Sequence, residues 1–127
     1  STLELFGKAL IIDVHSYPLV PLSYELCKDS QRPEVCIGTD LFHTSSLLAE
    51  TALRIFRDYG FDTALNTPFS GTMVPAKHYG KDPGVSSIMI EIRRDLYMDE
   101  GTCKRGMNFS EMLGKLNRAL KQLGETH

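Results

Sequence analysis

No stretch of this sequence approaches the roughly 20 consecutive apolar residues that cross a bilayer, and its first residues do not run from a basic segment into an apolar one. A soluble, unexported protein with no membrane partner is therefore expected. An excess of basic charge is missing as well. Fourteen Lys and Arg stand against sixteen Asp and Glu, a formal net charge of −2, and the cations are scattered, which argues against nucleic acid as a partner. Cysteine is scarce: Cys27, Cys36 and Cys103 are odd in number and never spaced as C-x-x-C. That suggests neither a disulfide framework nor a thiolate zinc knuckle, and a reducing cytoplasm is the expected setting. The common local signatures of chemistry are also absent. There is no G-x-S-x-G nucleophile elbow, no phosphate-cradling G-x-x-x-x-G-K, and no H-x-x-E or H-E-x-x-H from which a whole zinc site could be read.

What is present suffices for one packed unit. With 127 residues, 42% of them hydrophobic, no repeat and no internal linker, the chain reads as a single domain over 1–127. Ala9 to Val14 is a short apolar run of the kind that forms a strand buried on both faces. Glu34 to Ile37, stopped by Gly38, and Asp62 to Asn66, stopped by Pro68, are shorter strands. Ser86 to Arg93 is the strongest strand signal. Leu47, Leu48, Thr51, Ala52, Ile55, Phe56 and Tyr59 recur at helical spacing and end at Gly60. A second helix follows Asn108, with Glu111 three residues on, and its apolar stripe closes at Gly124. Strands alternating with helices predict an α/β fold with a mostly parallel or mixed sheet flanked by helices, in which ligands bind at the carboxyl ends of the strands.

Two side chains stand at such strand ends. Asp13 and His15 are two apart and project to the same side of an extended chain. His15 can offer one ring nitrogen to a metal while a carboxylate or carbonyl holds the other, or it can be a hydrogen-bonded histidine at a strand end. Glu91 interrupts an isoleucine-flanked strand. A carboxylate there is either paired, with Arg93 as the nearest cation, or tuned by desolvation for acid–base work. The segment from Thr67 to Val85, dense in turn formers, is long enough to be a functional loop or an extended connection. His43 either lines a cleft or simply precedes the first long helix.

Taken in order, Ile12 to Pro18, Cys36 to Asp40 with His43-Thr44, the loop Asn66 to Pro75, and Ser87 to Arg94 with Leu96-Tyr97-Met98 resemble the N-formylglutamate amidohydrolase family. That family is similar in fold to the zinc carboxypeptidases, whose "HSY" and "ELR" strand ends look like His15-Ser16-Tyr17 and Glu91-Ile92-Arg93. The resemblance implies a zinc-carboxypeptidase-like (phosphorylase/hydrolase-like) fold, incomplete at the N-terminus, of which this chain is the C-terminal half. It implies His15 as a zinc ligand, Glu91 as general base and Arg93 as a group orienting Glu91 or substrate. It also implies an N-acyl amino acid substrate, N-formyl-L-glutamate foremost as in histidine degradation, met by Asn66, Ser70, Gly71, Thr72, Arg94 and Lys77. The family draws its first two zinc ligands, a His and a carboxylate, from sequence ahead of the strand that ends in His15. The chain is therefore expected either to be a fragment of a longer protein or to be completed by a second chain, a complementing N-terminal half, and the isolated chain is expected to be inactive. Two other readings stand beside this one: a non-catalytic ligand-binding or interaction domain that lacks the metal half, and a carboxypeptidase-type peptidase.

Overall fold

The computed structural model describes residues 1–127. Along the chain it contains helix α1 (Thr2–Phe6), strand β1 (Ala9–Tyr17), β2 (Val35–Gly38), α2 (Ser46–Asp58), β3 (Thr63–Leu65), β4 (Val85–Arg93) and a 3-10 turn (Arg94–Leu96). A small hairpin, β5 (Met98–Asp99) and β6 (Lys104–Arg105), and helix α3 (Phe109–Glu125) complete it.

The long elements form where the sequence pattern places them. α2 starts at Ser45, whose hydroxyl accepts the Leu48 N–H, and it buries Leu48, Ala49, Ala52, Ile55 and Phe56 as one stripe. Its exit is at Gly60, at φ 88°, a left-handed geometry that a glycine adopts without steric cost. α3 buries Leu116, Ala119 and Leu123, runs one residue beyond Gly124, and makes no side-chain capping bond at Asn108. The capping residue read from the sequence is in place but works through its backbone, whose carbonyl accepts the Met112 N–H.

The main sheet has the order β1-β4-β2-β3, with β1/β4 and β2/β3 parallel and β2/β4 antiparallel, so the α/β sheet is mixed. β4 lies inside, which suits its apolar run. Alternate side chains divide between two faces. Ile88, Ile90 and Ile92 of β4 and Val35 and Ile37 of β2 meet α2 and α3 in one apolar core that includes Phe56, Phe61 and Leu123. The opposite face carries Cys36, Ser87, Met89 and Glu91, together with Asp13, His15 and Tyr17 of β1, and is covered by loops instead of helices.

β1 departs from the expectation of a strand buried on both faces. It pairs with β4 alone and stands at the sheet edge, and Val14, His15 and Ser16 are exposed. An apolar run says that a strand has faces to cover, but its lateral neighbours are set by pairing with distant segments. No helix is long and apolar enough to cross a membrane.

Candidate functional site

The site begins with register. β1 and β4 run parallel with His15 opposite Glu91, Asp13 opposite Met89 and Tyr17 opposite Arg93. Neighbouring strands lie about 4.8 Å apart, so the imidazole and the carboxylate rise side by side from the same face near the carboxyl ends of their strands. On the other flank of Glu91 stands Cys36 of antiparallel β2. The Cys36 thiol is fully buried, donates to the Phe69 carbonyl at 3.2 Å and has its pKa raised by burial, so it packs the floor of the site as an inert thiol.

Glu91 has the only unpaired carboxylate oxygen in the interior: Oε2 is buried without a hydrogen-bond partner. Burial raises its pKa above the usual glutamate value; His15 opposes that shift and the neighbouring Asp13 charge adds to it. The ion pair with Arg93 does not form. Arg93 is turned to the strand end, where Nε donates to Asp95 Oδ1 at 2.7 Å and Nη2 to Asp95 Oδ2 at 3.2 Å, while a third bond runs to the Arg32 carbonyl. Those bonds occupy the guanidinium and leave Glu91 unpaired. Arg94 turns the other way. Its Nε donates to Ser16 Oγ at 3.1 Å and Nη2 to the Ser16 carbonyl at 3.3 Å, which ties the ends of β4 and β1 together and keeps a positive charge within the field of Glu91.

His15 is half-exposed, and Nε2 donates to Asp13 Oδ1 at 2.8 Å. The second Asp13 oxygen accepts the Met73 N–H at 3.3 Å. One carboxylate thus joins the imidazole to the long loop.

That loop is built against the ends of β2 and β3. Asn66, at φ 54°, uses both ends of its amide on Thr39: Oδ1 accepts the Thr39 N–H at 2.9 Å and Nδ2 donates to Thr39 Oγ1 at 2.8 Å. The Gly71 N–H donates to the Thr39 carbonyl at 3.2 Å, and a Cβ on Gly38 would lie 2.2 Å from the Gly71 carbonyl oxygen, so only glycine at 38 admits the loop. Thr72 donates to Ser87 Oγ at 2.8 Å, and Ser87 in turn donates to the Met73 carbonyl at 2.8 Å. Asn66, Gly71 and Thr72 therefore shape the loop, while Ser70 and Lys77 are exposed on it. His43 is buried with both ring nitrogens engaged, Nδ1 donating to the Val85 carbonyl at 2.7 Å and Nε2 accepting the Gly80 N–H at 2.9 Å. It fastens the far end of the loop.

Two residues near the site carried no pattern. Arg32 is buried in an ion pair with Glu25, both side chains being at most 7% exposed, and its guanidinium lies 5.5 Å from the Tyr17 ring centroid and 5.7 Å from that of Phe69. Neither residue belongs to a strand or a helix, so no periodicity could single it out. Ser87, the hydroxyl that links loop and sheet, did have a signal: it shares the strand parity of Met89 and Glu91.

Zinc in a catalytic site takes three protein ligands and leaves one position open. The donors in this chain do not reach that number, because no group of three His, Cys, Asp or Glu side chains stands together. A cavity of about 570 Å³ opens at the free edge of β1, between Val14, His15 and Ser16 on one side and Phe109, Leu113 and Leu116 of α3 on the other. Glu91 does not line it.

The chain is similar to an N-formylglutamate amidohydrolase from Ralstonia eutropha JMP134, at 29% identity and a TM-score of 0.81, over 98% of this chain and 45% of that one. It shares its fold with the gene product Atu2144 from Agrobacterium tumefaciens, at 21% identity and a TM-score of 0.55, over 95% of this chain and 46% of that one. The chain thus spans about half the length of these solved structures. Among the curated proteins compared, none matches. The family model of N-formylglutamate amidohydrolase matches residues 1–98, well over half of the sequence, and with that match the chain belongs to the N-formylglutamate amidohydrolase family.

Proposed function

We propose that this chain forms the part of a zinc-dependent amidohydrolase that carries the proton-transferring carboxylate, and that the assembled enzyme hydrolyses the amide of an N-acyl amino acid, N-formyl-L-glutamate foremost. The observation that carries the proposal is the buried, partnerless oxygen of Glu91 directly across the register from His15. A desolvated carboxyl with a raised pKa is suited to take a proton from water and hand it on. In the reaction, water adds to the amide carbonyl while Glu91 accepts its proton. The C–N bond then breaks as Glu91 returns that proton to the leaving nitrogen, giving formate and the free amino acid.

Zinc, when bound, would polarise the carbonyl and acidify the water. Of its ligands this chain offers His15, and the others belong to polypeptide outside these 127 residues. The free edge of β1 and the apolar cavity beside it, where Val14 is 48% exposed, mark a surface on which such a polypeptide could extend the sheet. This reading assigns the substrate carboxylates to Arg94 and the exposed Ser70 as donors, and not to Lys77, whose charge acts on Glu4 ahead of β1. A cytoplasmic setting suits three free cysteines.

A second reading has its own support, since a domain without three ligands together could bind acyl amino acids and not cleave them. The test is formate release from N-formyl-L-glutamate, measured with the chain alone and with its complementing half. The reading predicts little hydrolysis and no zinc retained through dialysis for the chain alone, and turnover once assembled. Calorimetric binding without turnover in the assembly would favour the second reading, and release of C-terminal residues from peptides would point to a peptidase.

A further inference from the structure

We infer that Asp13 is a positioning residue that fixes which nitrogen of His15 faces the site and makes that choice depend on the loop above it. An ionised carboxylate can only accept hydrogen bonds. Asp13 accepts two, from the His15 ring at Oδ1 (2.8 Å) and from the Met73 N–H at Oδ2 (3.3 Å). A neutral imidazole has one N–H. The bond to Asp13 places it on Nε2 and leaves Nδ1, which makes no hydrogen bond within the chain, as the bare lone pair. His15 is half-exposed and would otherwise be free to turn, whereas the Asp13 side chain is 13% exposed and is held at its far oxygen by the loop. Loop seating and imidazole orientation are therefore one event. A loop lifted from Met73 frees Asp13 to rotate, and the ring loses its fixed acceptor. Ser87 reinforces the seat by donating to the Met73 carbonyl, so both backbone polar groups of Met73 are anchored to the sheet.

The catalytic meaning of this arrangement rests on the amidohydrolase reading, but the arrangement itself is testable without turnover. Asparagine has nearly the shape of aspartate and only one accepting oxygen. In Asp13→Asn the Met73 N–H and the His15 Nε2–H compete for that oxygen, and the amide NH₂ faces the loser. If Met73 keeps the oxygen, the ring must accept from the NH₂ and its proton moves to Nδ1. If the ring keeps it, the Met73 amide is left without an acceptor.

The experiment is nitrogen-15 NMR of the histidine ring with amide hydrogen exchange, on the isolated chain at about pH 9, where imidazole is neutral. Wild type is expected to show His15 as the Nε2–H tautomer with Met73 protected. Asp13→Asn is expected to reverse the tautomer ratio about tenfold or to lower Met73 protection about tenfold, the scale of one charge-assisted hydrogen bond. Asp13→Ala should relax both signals, and it serves as the second variant if the first does not fold. Unchanged tautomer and unchanged Met73 protection in either folded variant would overturn the inference, as would an Nδ1–H ring in wild type. Because no substrate or metal enters, failure here leaves the assignment of Glu91 standing, and failure of formate release leaves this one standing.

Discussion

The two faces of the sheet solve opposite problems. On the helix side the inward groups are apolar except for Thr63, whose hydroxyl donates to the Phe61 carbonyl, and Ile37, Ile88, Ile90, Phe56 and Leu123 are sealed beneath α2 and α3. On the loop side, the inward groups apart from Met89 are mostly polar and most are paired: Cys36 to Phe69, Ser87 to Met73, Asp13 to His15 and Met73. Two groups are exceptions: Glu91, with one carboxylate oxygen left unsatisfied, and Arg32, whose Nε has no partner. A single strand, β4, serves both faces, with even-numbered isoleucines in the core and, at an odd-numbered position, the carboxylate to which the proposed mechanism gives the proton transfer. The main apolar core lies on one face, and the unsatisfied polar groups whose cost it must offset lie on the other.

Substitutions can break that division in order of effect. Phe56→Ala, in the sealed core, is expected to cost about 3–5 kcal/mol in chemical denaturation, the usual loss for a buried phenylalanine. A loss under about 1 kcal/mol would mean that the helix face is not the main source of stability. Gly38→Ala inserts a methyl group against the Gly71 carbonyl and the Met89 side chain. The expected cost is about 1–3 kcal/mol from overpacking, with the loop displaced and Met73 exchange quickened. An equally stable variant with an unmoved loop would show that the close approach is not required.

Glu91→Gln sharpens the comparison from the other side. The Glu91 pKa is raised in the folded state above its value of 4.5, chiefly by burial. Between the unfolded and folded values the native state binds more protons, so stability falls as pH rises through that window and is flat above it. The neutral glutamine escapes this loss. It is expected to stabilise the isolated chain by on the order of 1 kcal/mol at about pH 8, with the difference vanishing near pH 4. A thermal midpoint lower than that of wild type at the higher pH would mean that the carboxylate is paired in solution.

How much of this was legible in the sequence follows from the range of each interaction. β4 and α2 could be read residue by residue because burial on a continuous strand and a helical stripe leaves a local period, and Gly60 ends α2 as its position implied. The edge position of β1 and the antiparallel setting of β2 beside β4 could not, since both are choices of distant partner. α1 and the β5/β6 hairpin are too short to set up a period. In the site, strand parity foretold that Asp13 and His15 share a face, and that Glu91 stands in apolar surroundings. Arg93 could not be placed by parity alone: its long side chain reaches Asp95 in the following turn and leaves the carboxylate two residues back unpaired. Asn66 and Thr72, read as substrate donors, spend their polar groups on the loop and sheet, a detail settled only by the three-dimensional path of that loop.

The most direct measurement compares Glu91→Gln with wild type in the assembled enzyme, following formate release together with zinc content. Loss of the proposed proton carrier at unchanged shape predicts a turnover number lower by about 10²- to 10⁴-fold with zinc content unaltered. Turnover equal to wild type would contradict the account, because the one unpaired carboxylate oxygen in the interior would then have no part in the chemistry.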